Sequence, residues 1–310
     1  MKKNLKIGLN ILVFVLIAGF GYYMVHSIMS EEKTIPVDTK NTENSFTSSC
    51  KKTTSFETDS DIICFNIYED MIYIALSGKF SVFNLSGKHQ YDFETEEDVC
   101  DIVVDCREAI NRVSTTIYLL YPTKIILYDF TGENQDEWKS CSDNSDYCAI
   151  TTTKDYVFVT DAENKHIVQY DKQGQLVRFI KSPEGFIIPS YSFDIISIND
   201  TIYCSNSGRH KIESYTLDGE FIASFGIAGT QAGAFVGCCN PVYLEKSPND
   251  NILTSEKGNP RISCYGKDGK FHTILFDKNM LGGGTSAYEM HVSEKNIYIA
   301  SGSIIRVYEL

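Results

Sequence analysis

From residue 60 to the end of the chain, apolar residues come in short runs that are separated by polar residues and glycine. The stretch 201–226 shows the pattern clearly, because a polar corner at Asn206–His210 and a Leu-Asp-Gly turn at 217–219 divide three β-rich runs. Asp-Gly is a strong hairpin signal, since glycine adopts the positive φ that the turn needs. The pattern therefore predicts consecutive antiparallel strands.

This unit recurs along the chain. An aromatic residue marks each copy, and in the first five copies it stands four positions before the hairpin glycine: Phe83, Tyr128, Tyr170, Tyr215, Tyr265 and finally Tyr308. The separations are 45, 42, 45, 50 and 43 residues, and a second apolar run precedes every marker. Six copies of this length, each with about four short strands, predict an all-β six-bladed β-propeller.

The last copy stops after its third strand, at Leu310. An incomplete blade would leave an open sheet edge, which is an aggregation hazard. The β-rich segment Thr53–Thr58 stands just before the first full copy, so we expect it to supply the missing strand. The predicted propeller domain spans residues 54–310.

The first fifty residues follow a different pattern. Three lysines precede an apolar run of 22 residues, Gly8–Met29, and Glu31 and Glu32 follow it. A helix needs about 20 apolar residues to cross a bilayer, and the positive-inside rule places this N-terminus in the cytoplasm. A cleavable signal peptide is the alternative, but no clear cleavage site is present. We expect a cytoplasmic stub and transmembrane signal anchor at 1–29 and a disordered tether at 30–53.

This arrangement predicts a membrane-anchored, extracytoplasmic protein, typical of a bacterial inner membrane facing the periplasm. The net charge of −13 and the pI near 4.9 exclude a nucleic-acid partner, because phosphate binding needs a basic face. The chain contains no nucleophile elbow, no HExxH motif and no phosphate-binding glycine loop. We therefore expect a monomeric binding or scaffold module, without catalysis, whose partner is a protein or peptide.

The repeats resemble those of the NHL-repeat propellers. The segment VFVTDAENKHIVQYDKQGQLVRFI (157–180) carries an apolar strand that ends in Asp, then an aromatic residue and a turn glycine. The segments GCCNP (237–241) and TSEKGNPRI (254–262) are similar to a variant found in some bacterial NHL-like proteins. The WD40 class is disfavoured, since Trp138 is the only tryptophan and no His/Trp-Asp signature accompanies the repeats.

The corners between the second and third strands are candidate binding positions, since propellers often place functional residues in such loops. In the fifth copy this corner contains Glu256, Lys257 and Arg261, and in the fourth it contains Asn206 and Arg209. The alternative is that Glu256 fills the same structural position as Asn206 in its own copy.

One aligned column on the innermost strands reads Cys64, Asp101, Ala149, Asp194, Leu244 and Glu289. Its carboxylates fall on alternate blades, so Asp101, Asp194 and Glu289 could converge on the axis and hold Ca²⁺, which prefers oxygen ligands. The alternative is that they are solvated in the channel. The resemblance to propeller lyases and lactonases also leaves open a metal-dependent hydrolase or lyase that uses these residues and His291. Apart from this possible Ca²⁺, no cofactor is expected.

The ten cysteines include two close pairs, Cys100/Cys106 and Cys141/Cys148, which are disulfide candidates in an exported domain. Cys238 and Cys239 are adjacent. They could form a strained disulfide, bond to separate partners or remain buried thiols. A redox-linked partner that uses these two cysteines is the third functional hypothesis.

Overall fold

The computed structural model describes residues 34–35, 50–95, 99–109 and 112–310. These residues form β-strands and two short 3₁₀ helices. Strands β1 (Thr34–Ile35) and β2 (Lys51–Glu57) precede the repeated region. The all-β prediction is confirmed for this part of the chain.

Each sequence repeat folds into one antiparallel sheet, with its strands in chain order. Blade one contains β3 (Cys64–Tyr68), β4 (Met71–Leu76), β5 (Lys79–Asn84) and β6 (His89–Glu94). Blade two contains β7 (Asp101–Ala109), β8 (Arg112–Tyr121), β9 (Lys124–Asp129) and β10 (Asn134–Lys139). Blade three contains β11 (Tyr147–Thr152), β12 (Tyr156–Asp161), β13 (His166–Asp171) and β14 (Leu176–Ile180).

The remaining blades follow the same plan. Blade four contains β15 (Ile195–Ile198), β16 (Thr201–Asn206), β17 (Lys211–Thr216) and β18 (Phe221–Phe225), and its 3₁₀ helices are Pro189–Tyr191 and Ser207–Arg209. Blade five contains β19 (Tyr243–Lys246), β20 (Ile252–Glu256), β21 (Arg261–Tyr265) and β22 (Phe271–Phe276). Blade six contains β23 (Met290–Val292), β24 (Asn296–Ser301) and β25 (Ile304–Glu309).

The sixth blade is completed by the N-terminal strand β2, which pairs antiparallel with β25. Phe56 lies opposite Ile305, and the Thr53 hydroxyl donates a hydrogen bond of 3.1 Å to the Val307 carbonyl. The predicted closure is therefore confirmed. The strand begins at Lys51, inside the expected tether, because Lys51 and Lys52 also pair with β25.

The first strands of the blades contact one another in a closed cycle, from β3 through β7, β11, β15, β19 and β23 back to β3. This cycle shows that the blades surround one axis. The six-bladed propeller prediction is confirmed.

The turn glycines between the third and fourth strands explain why the repeat marker is so regular. Gly174 has φ +78°, and a Cβ atom there would lie 2.5 Å from Trp138 on the outer strand of the preceding blade. Gly87 meets Phe56 of β2 in the same way, at 2.5 Å. Each such glycine permits the turn and also leaves room for the neighbouring blade. Phe56 therefore occupies the position that an outer-strand residue takes in the other blades.

The predicted membrane anchor and tether concern the N-terminal part of the chain. The expected anchor at 1–29 lies outside the described part of the chain, and so does most of the expected tether. Within the described part, no helix has the length and hydropathy needed to cross a bilayer.

Candidate functional site: the channel and its mouth

The axis of the ring contains a cavity of about 690 Å³. Inner-strand residues from all six blades line it, together with residues 190–192 of the link that leads into blade four. The links between blades and the corners between second and third strands lie at the same end of the ring. We call this end the link face.

The three predicted channel carboxylates lie at the beginning of inner strands: Asp101 is the first residue of β7, and Asp194 and Glu289 directly precede β15 and β23. Each of them joins two neighbouring blades. Asp101 of blade two accepts a hydrogen bond of 2.8 Å from Ile150 N of blade three. Asp194 of blade four accepts one of 2.5 Å from Leu244 N of blade five, and Glu289 of blade six accepts one of 3.0 Å from Phe65 N of blade one. Alternate blades are therefore fastened to the next blade by a carboxylate.

These hydrogen bonds leave little capacity for a metal. The second oxygens of Asp101 and Asp194 each accept a backbone N–H, from Ile102 and Ile195, both at 2.7 Å. Burial raises the pKa of Asp101 well above its usual value and raises the pKa of Asp194 to about 7, and nearby carboxylates add to both shifts. Within the described residues, no cluster of three or more His, Cys, Asp or Glu side chains could hold a metal ion. The arrangement does not fit the predicted Ca²⁺ site.

His291 lies between two carboxylates in the channel wall. Its Nδ1 atom is 2.9 Å from a Glu245 oxygen, and its Nε2 atom is 3.6 Å from a Glu289 oxygen. Burial alone would lower the pKa of His291, but these carboxylates raise it to about 10. Both ring nitrogens of His291 are thus directed at carboxylates of the channel wall.

Two of the predicted corner residues are buried and hold the link loops in place. Asn206 and Glu256 both end a second strand, and neither is exposed to solvent. Asn206 Oδ1 accepts a hydrogen bond of 2.9 Å from Ile187 N, and Glu256 Oε2 accepts one of 3.3 Å from Val236 N. Asp161 occupies the same position in blade three and accepts one of 3.2 Å from Asp146 N. This is the structural alternative that the sequence offered.

The two corner arginines are also engaged. Arg261 is 4% exposed, and its Nε atom lies 2.7 Å from Glu256 Oε1. It also donates to the carbonyl groups of Gln231 and Ala234 in the link before blade five. Arg209 is partly exposed and donates a hydrogen bond of 2.9 Å to the Gly185 carbonyl. Asn206, Glu256 and Arg261 are thus unavailable to a partner at the surface as they stand, which corrects the picture of an open corner.

The link before blade four carries the residues that the sequence did not single out. Ser190 and Tyr191 have φ values of 58° and 56°, in the left-handed region. The Tyr191 side chain is 59% exposed and the Ile187 side chain is 47% exposed. An apolar Phe-Ile-Ile-Pro segment (186–189) outside any predicted strand was the available signal.

The adjacent cysteines lie beside this link. The Cys238 and Cys239 Sγ atoms are 3.0 Å apart, so they are thiols rather than a disulfide. Cys239 Sγ lies 4.0 Å from Ser190 Oγ, and Lys257 Nζ lies 3.5 Å from Ser192 Oγ. Of the predicted corner residues, Lys257 is the one that faces this group.

The predicted Cys141–Cys148 disulfide is wrong. Cys141 Sγ lies 3.0 Å from the Tyr170 hydroxyl, and Cys148 Sγ lies 3.6 Å from the Asp146 carbonyl oxygen. The two cysteines therefore have separate partners. Cys106, the predicted partner of Cys100, is outside the residues whose side chains the structure describes.

Comparison with known proteins adds structural neighbours. No protein-family model and no curated protein sequence matches the chain. The virginiamycin B lyase from Staphylococcus aureus superimposes with a TM-score of 0.59 at 15% identity, over 83% of this chain and 98% of that one. The chain shares its propeller fold.

Two further structures show the range of proteins with this fold. A catalytically inactive variant of the Staphylococcus aureus lyase, solved with quinupristin, gives a TM-score of 0.57 at 14% identity over 83% of this chain and 98% of that one. The Pan2 WD40 domain from Neurospora crassa gives 0.55 at 8% identity over 85% of this chain and 96% of that one. One fold thus serves an enzyme and a WD40 domain, so function must be argued from the site.

Proposed function

We propose that this propeller is a binding module that takes a protein or peptide segment on its link face, at the mouth of the channel, without catalysing a reaction on it. The observation that carries the proposal is Tyr191. It is a large aromatic side chain, 59% exposed, on a left-handed backbone at the edge of the cavity.

The backbone at Tyr191 argues for a role beyond folding. A non-glycine residue in the left-handed region costs about 1–2 kcal/mol, and two such residues stand in succession here. Strain of this kind persists where the surrounding structure enforces it and is concentrated at functional sites. Because Tyr191 is mostly exposed, burial of its side chain does not repay this cost in the isolated chain.

The chemistry of the patch suits a peptide. Tyrosine combines a broad apolar ring with a polar hydroxyl and is enriched among residues that dominate binding energy. Ile187 adds exposed apolar surface on the same link. The cavity, at about 690 Å³, lies in the size range of small-ligand pockets, so it can accept a side chain of a segment docked on the rim.

The proposal also concerns the place of the module. The apolar run 8–29, flanked by lysines and then by acidic residues, supports a membrane anchor with the propeller on the extracytoplasmic side. The repeat pattern at 157–180 supports membership of the NHL-repeat propellers. We further propose that the module is a monomer.

A peptide-display selection tests the binding site. Residues 50–310 are immobilised and enriched peptides are measured against three variants. Tyr191→Ala is expected to weaken binding by at least about tenfold, as the loss of a binding hot spot does, and Tyr191→Phe is expected to keep most of it.

The matched control is Ile222→Ala, which removes another exposed apolar residue, 41% exposed, on β18, the fourth strand of blade four. It is expected to leave binding unchanged. If Ile222→Ala weakens binding as much as Tyr191→Ala, or if Tyr191→Ala has no effect, the channel mouth is not the binding site.

A further inference from the structure

We propose that Cys238 and Cys239 form a thiol–disulfide exchange site on the link face, and that its substrate is an accessible disulfide of a protein or small thiol compound. The pair would alternate between two thiols and a disulfide between adjacent residues. This inference does not depend on the proposed peptide binding.

The geometry of the pair supports exchange. The two Sγ atoms are 3.0 Å apart, so a bond between them needs only a small further approach. Cys238 is exposed and can be reached by a substrate, whereas Cys239 is 2% exposed and lies behind it. An exposed attacking sulfur with a shielded second sulfur next to it is the arrangement that a two-step exchange uses.

Side-chain hydrogen bonds hold the pair from both sides. His210 Nε2 lies 2.6 Å from the Gly237 carbonyl oxygen, directly before the cysteines. Asn240, directly after them, accepts a hydrogen bond of 2.9 Å from Lys257 N and donates one of 2.9 Å to Lys257 O. Asn240 therefore fixes the Lys257 backbone beside the two cysteines.

The electrostatics of the pair agree with this geometry. Burial would raise the pKa of Cys239, but hydrogen bonds from Cys238 and Lys257 and the Lys257 charge lower it overall. By contrast, burial raises the pKa of Cys64, Cys148, Cys204 and Cys264. The hydrogen bond to Cys239 raises the pKa of Cys238, so a proton lost from the pair leaves Cys239 first, and Cys238 becomes a thiolate by passing its own proton to Cys239. The thiolate is the reactive form of cysteine, so this shared thiolate distinguishes the pair from those four thiols.

The exchange balances as follows. The pair begins with one proton, which moves from Cys238 to Cys239, and the Cys238 thiolate attacks the substrate disulfide. A Cys238–substrate mixed disulfide forms, the substrate S–S bond breaks, and the first leaving sulfur takes the proton from Cys239. The Cys239 thiolate then attacks Cys238 Sγ and releases the second substrate sulfur as a thiolate. The two cysteines are oxidised, and the substrate disulfide is reduced to two sulfur groups that share one proton.

The test uses the full chain with oxidised glutathione as the probe, alkylation of the remaining thiols, and peptide mass spectrometry. In the wild-type chain, the peptide that contains 238–239 is expected to lose two hydrogen atoms and to carry no glutathione. Cys141, an exposed thiol, serves as an internal control and is expected to end as a mixed disulfide.

The variants separate the two sulfurs. Cys239→Ser and Cys239→Ala are expected to stop at a Cys238–glutathione disulfide, and Cys238→Ser is expected to react at least about tenfold more slowly because Cys239 is shielded. Lys257→Gln is expected to move the rate profile to higher pH, while Lys267→Gln, a lysine elsewhere in blade five, is expected to leave it in place. Buried Cys204 must stay unmodified in every variant, which checks that each one is folded.

The wild-type result decides the matter even if a variant fails to fold. The proposal is overturned if wild-type Cys238 retains glutathione, if both cysteines carry it, or if the pair reacts no faster than Cys141. A failure of peptide binding at Tyr191 would leave all of these results unchanged, so the two proposals can fail separately.

Discussion

The corner between the second and third strands of blade five lies on the link face, together with the links before blades four and five. The corner and the links use their side chains in opposite ways. At the corner, Glu256 and Arg261 are buried and bond to each other and to the link backbone. On the links, Tyr191 is 59% exposed and Cys238 faces solvent. The charged residues make the corner look like a binding site, but the charges of Glu256 and Arg261 already hold the link before blade five.

The buried corner residues therefore stabilise the fold, whereas the exposed link residues are free to contact a partner. A buried ion pair has little left to offer a partner, since its charges and donors are satisfied within the fold. The Glu256–Arg261 pair holds the link before blade five, whereas the strained backbone of Tyr191 lies in the link before blade four. Asn206, which accepts a hydrogen bond from Ile187 N at 2.9 Å, links the two roles directly.

Arg261→Met is expected to have the largest effect on stability. This change leaves Glu256 as an unpaired charge in the interior, where burial already raises its pKa. The free energy of unfolding is expected to fall by about 3–5 kcal/mol. Urea unfolding of residues 50–310 measures it.

Lys267→Met is the matched control for that variant. The Lys267 Nζ atom lies 3.4 Å from Asp250 at the surface of the same blade, and its side chain is 46% exposed. Its loss is expected to cost less than about 1 kcal/mol. If the two variants lose the same free energy of unfolding, the Glu256–Arg261 pair does not stabilise the fold more than a surface ion pair does.

His291→Gln tests the support inside the channel. The pKa of His291 is raised to about 10 in the folded chain, against about 6.5 when unfolded, so its contribution is fully present below about pH 6.5 and is lost as the pH rises through about 10. The variant is expected to be less stable by about 1.5–3 kcal/mol at pH 6, and the difference should shrink by pH 10. Chemical denaturation at both pH values checks this. A His291 ring that titrates near pH 6.5 by NMR would contradict it.

Asp194→Asn has a smaller effect, which also declines as the pH rises but does so over a lower pH range. The pKa of Asp194 is raised to about 7, against about 3.9 when unfolded, so the native chain binds more protons and wild-type stability falls as the pH rises between these values. The amide accepts only one of the two backbone N–H groups, which should cost about 1–2 kcal/mol near pH 4 and less near pH 8. Thermal unfolding across this range measures the difference, and parallel curves for the two proteins would refute it.

Tyr191→Gly is expected to give the smallest change in stability, and it separates the effect of Tyr191 on stability from its effect on peptide binding. Glycine removes the strain of a positive φ, so the free energy of unfolding is expected to rise by about 0.5–1 kcal/mol. Glu69→Gly is the control, because Glu69 is exposed with a φ of 51° in a hairpin turn. Both changes should stabilise the fold in urea unfolding, but only Tyr191→Gly should reduce peptide binding. A stability loss at Tyr191 would mean that its ring supports the fold.

The repeat pattern predicted much of the fold because strands, turns and blades recur with one period. The turn glycines are regular since each must pass the preceding blade, and even the closing strand was found from an incomplete sixth copy. The repeat pattern also predicted that Asp101, Asp194 and Glu289 lie at the channel, but it did not predict that they bond to the backbone of the next blade. Whether Asp194 holds a metal or accepts Leu244 N depends on the register between two blades, which one repeat does not encode.

The site was harder to predict for a related reason. Glu256 and Arg261 look like surface charges in sequence, and only the fold shows that the link before blade five covers them. Tyr191 lies in a link that varies between copies, so no period marks it. The repeat pattern predicts the features that all blades share, but it does not predict a feature that belongs to a single loop.

Because β2 closes the ring, the first strand of the propeller to be synthesised pairs with the last one. Thr53 bonds to Val307, a residue 254 positions later in the chain. At a ribosomal rate of about 5–20 residues per second, the strand waits roughly 13–50 seconds before its partner exists. During that time β2 is an unpaired strand. The last blade can therefore form only after nearly the whole chain has left the ribosome, and a chain that stops early leaves two complementary edges exposed.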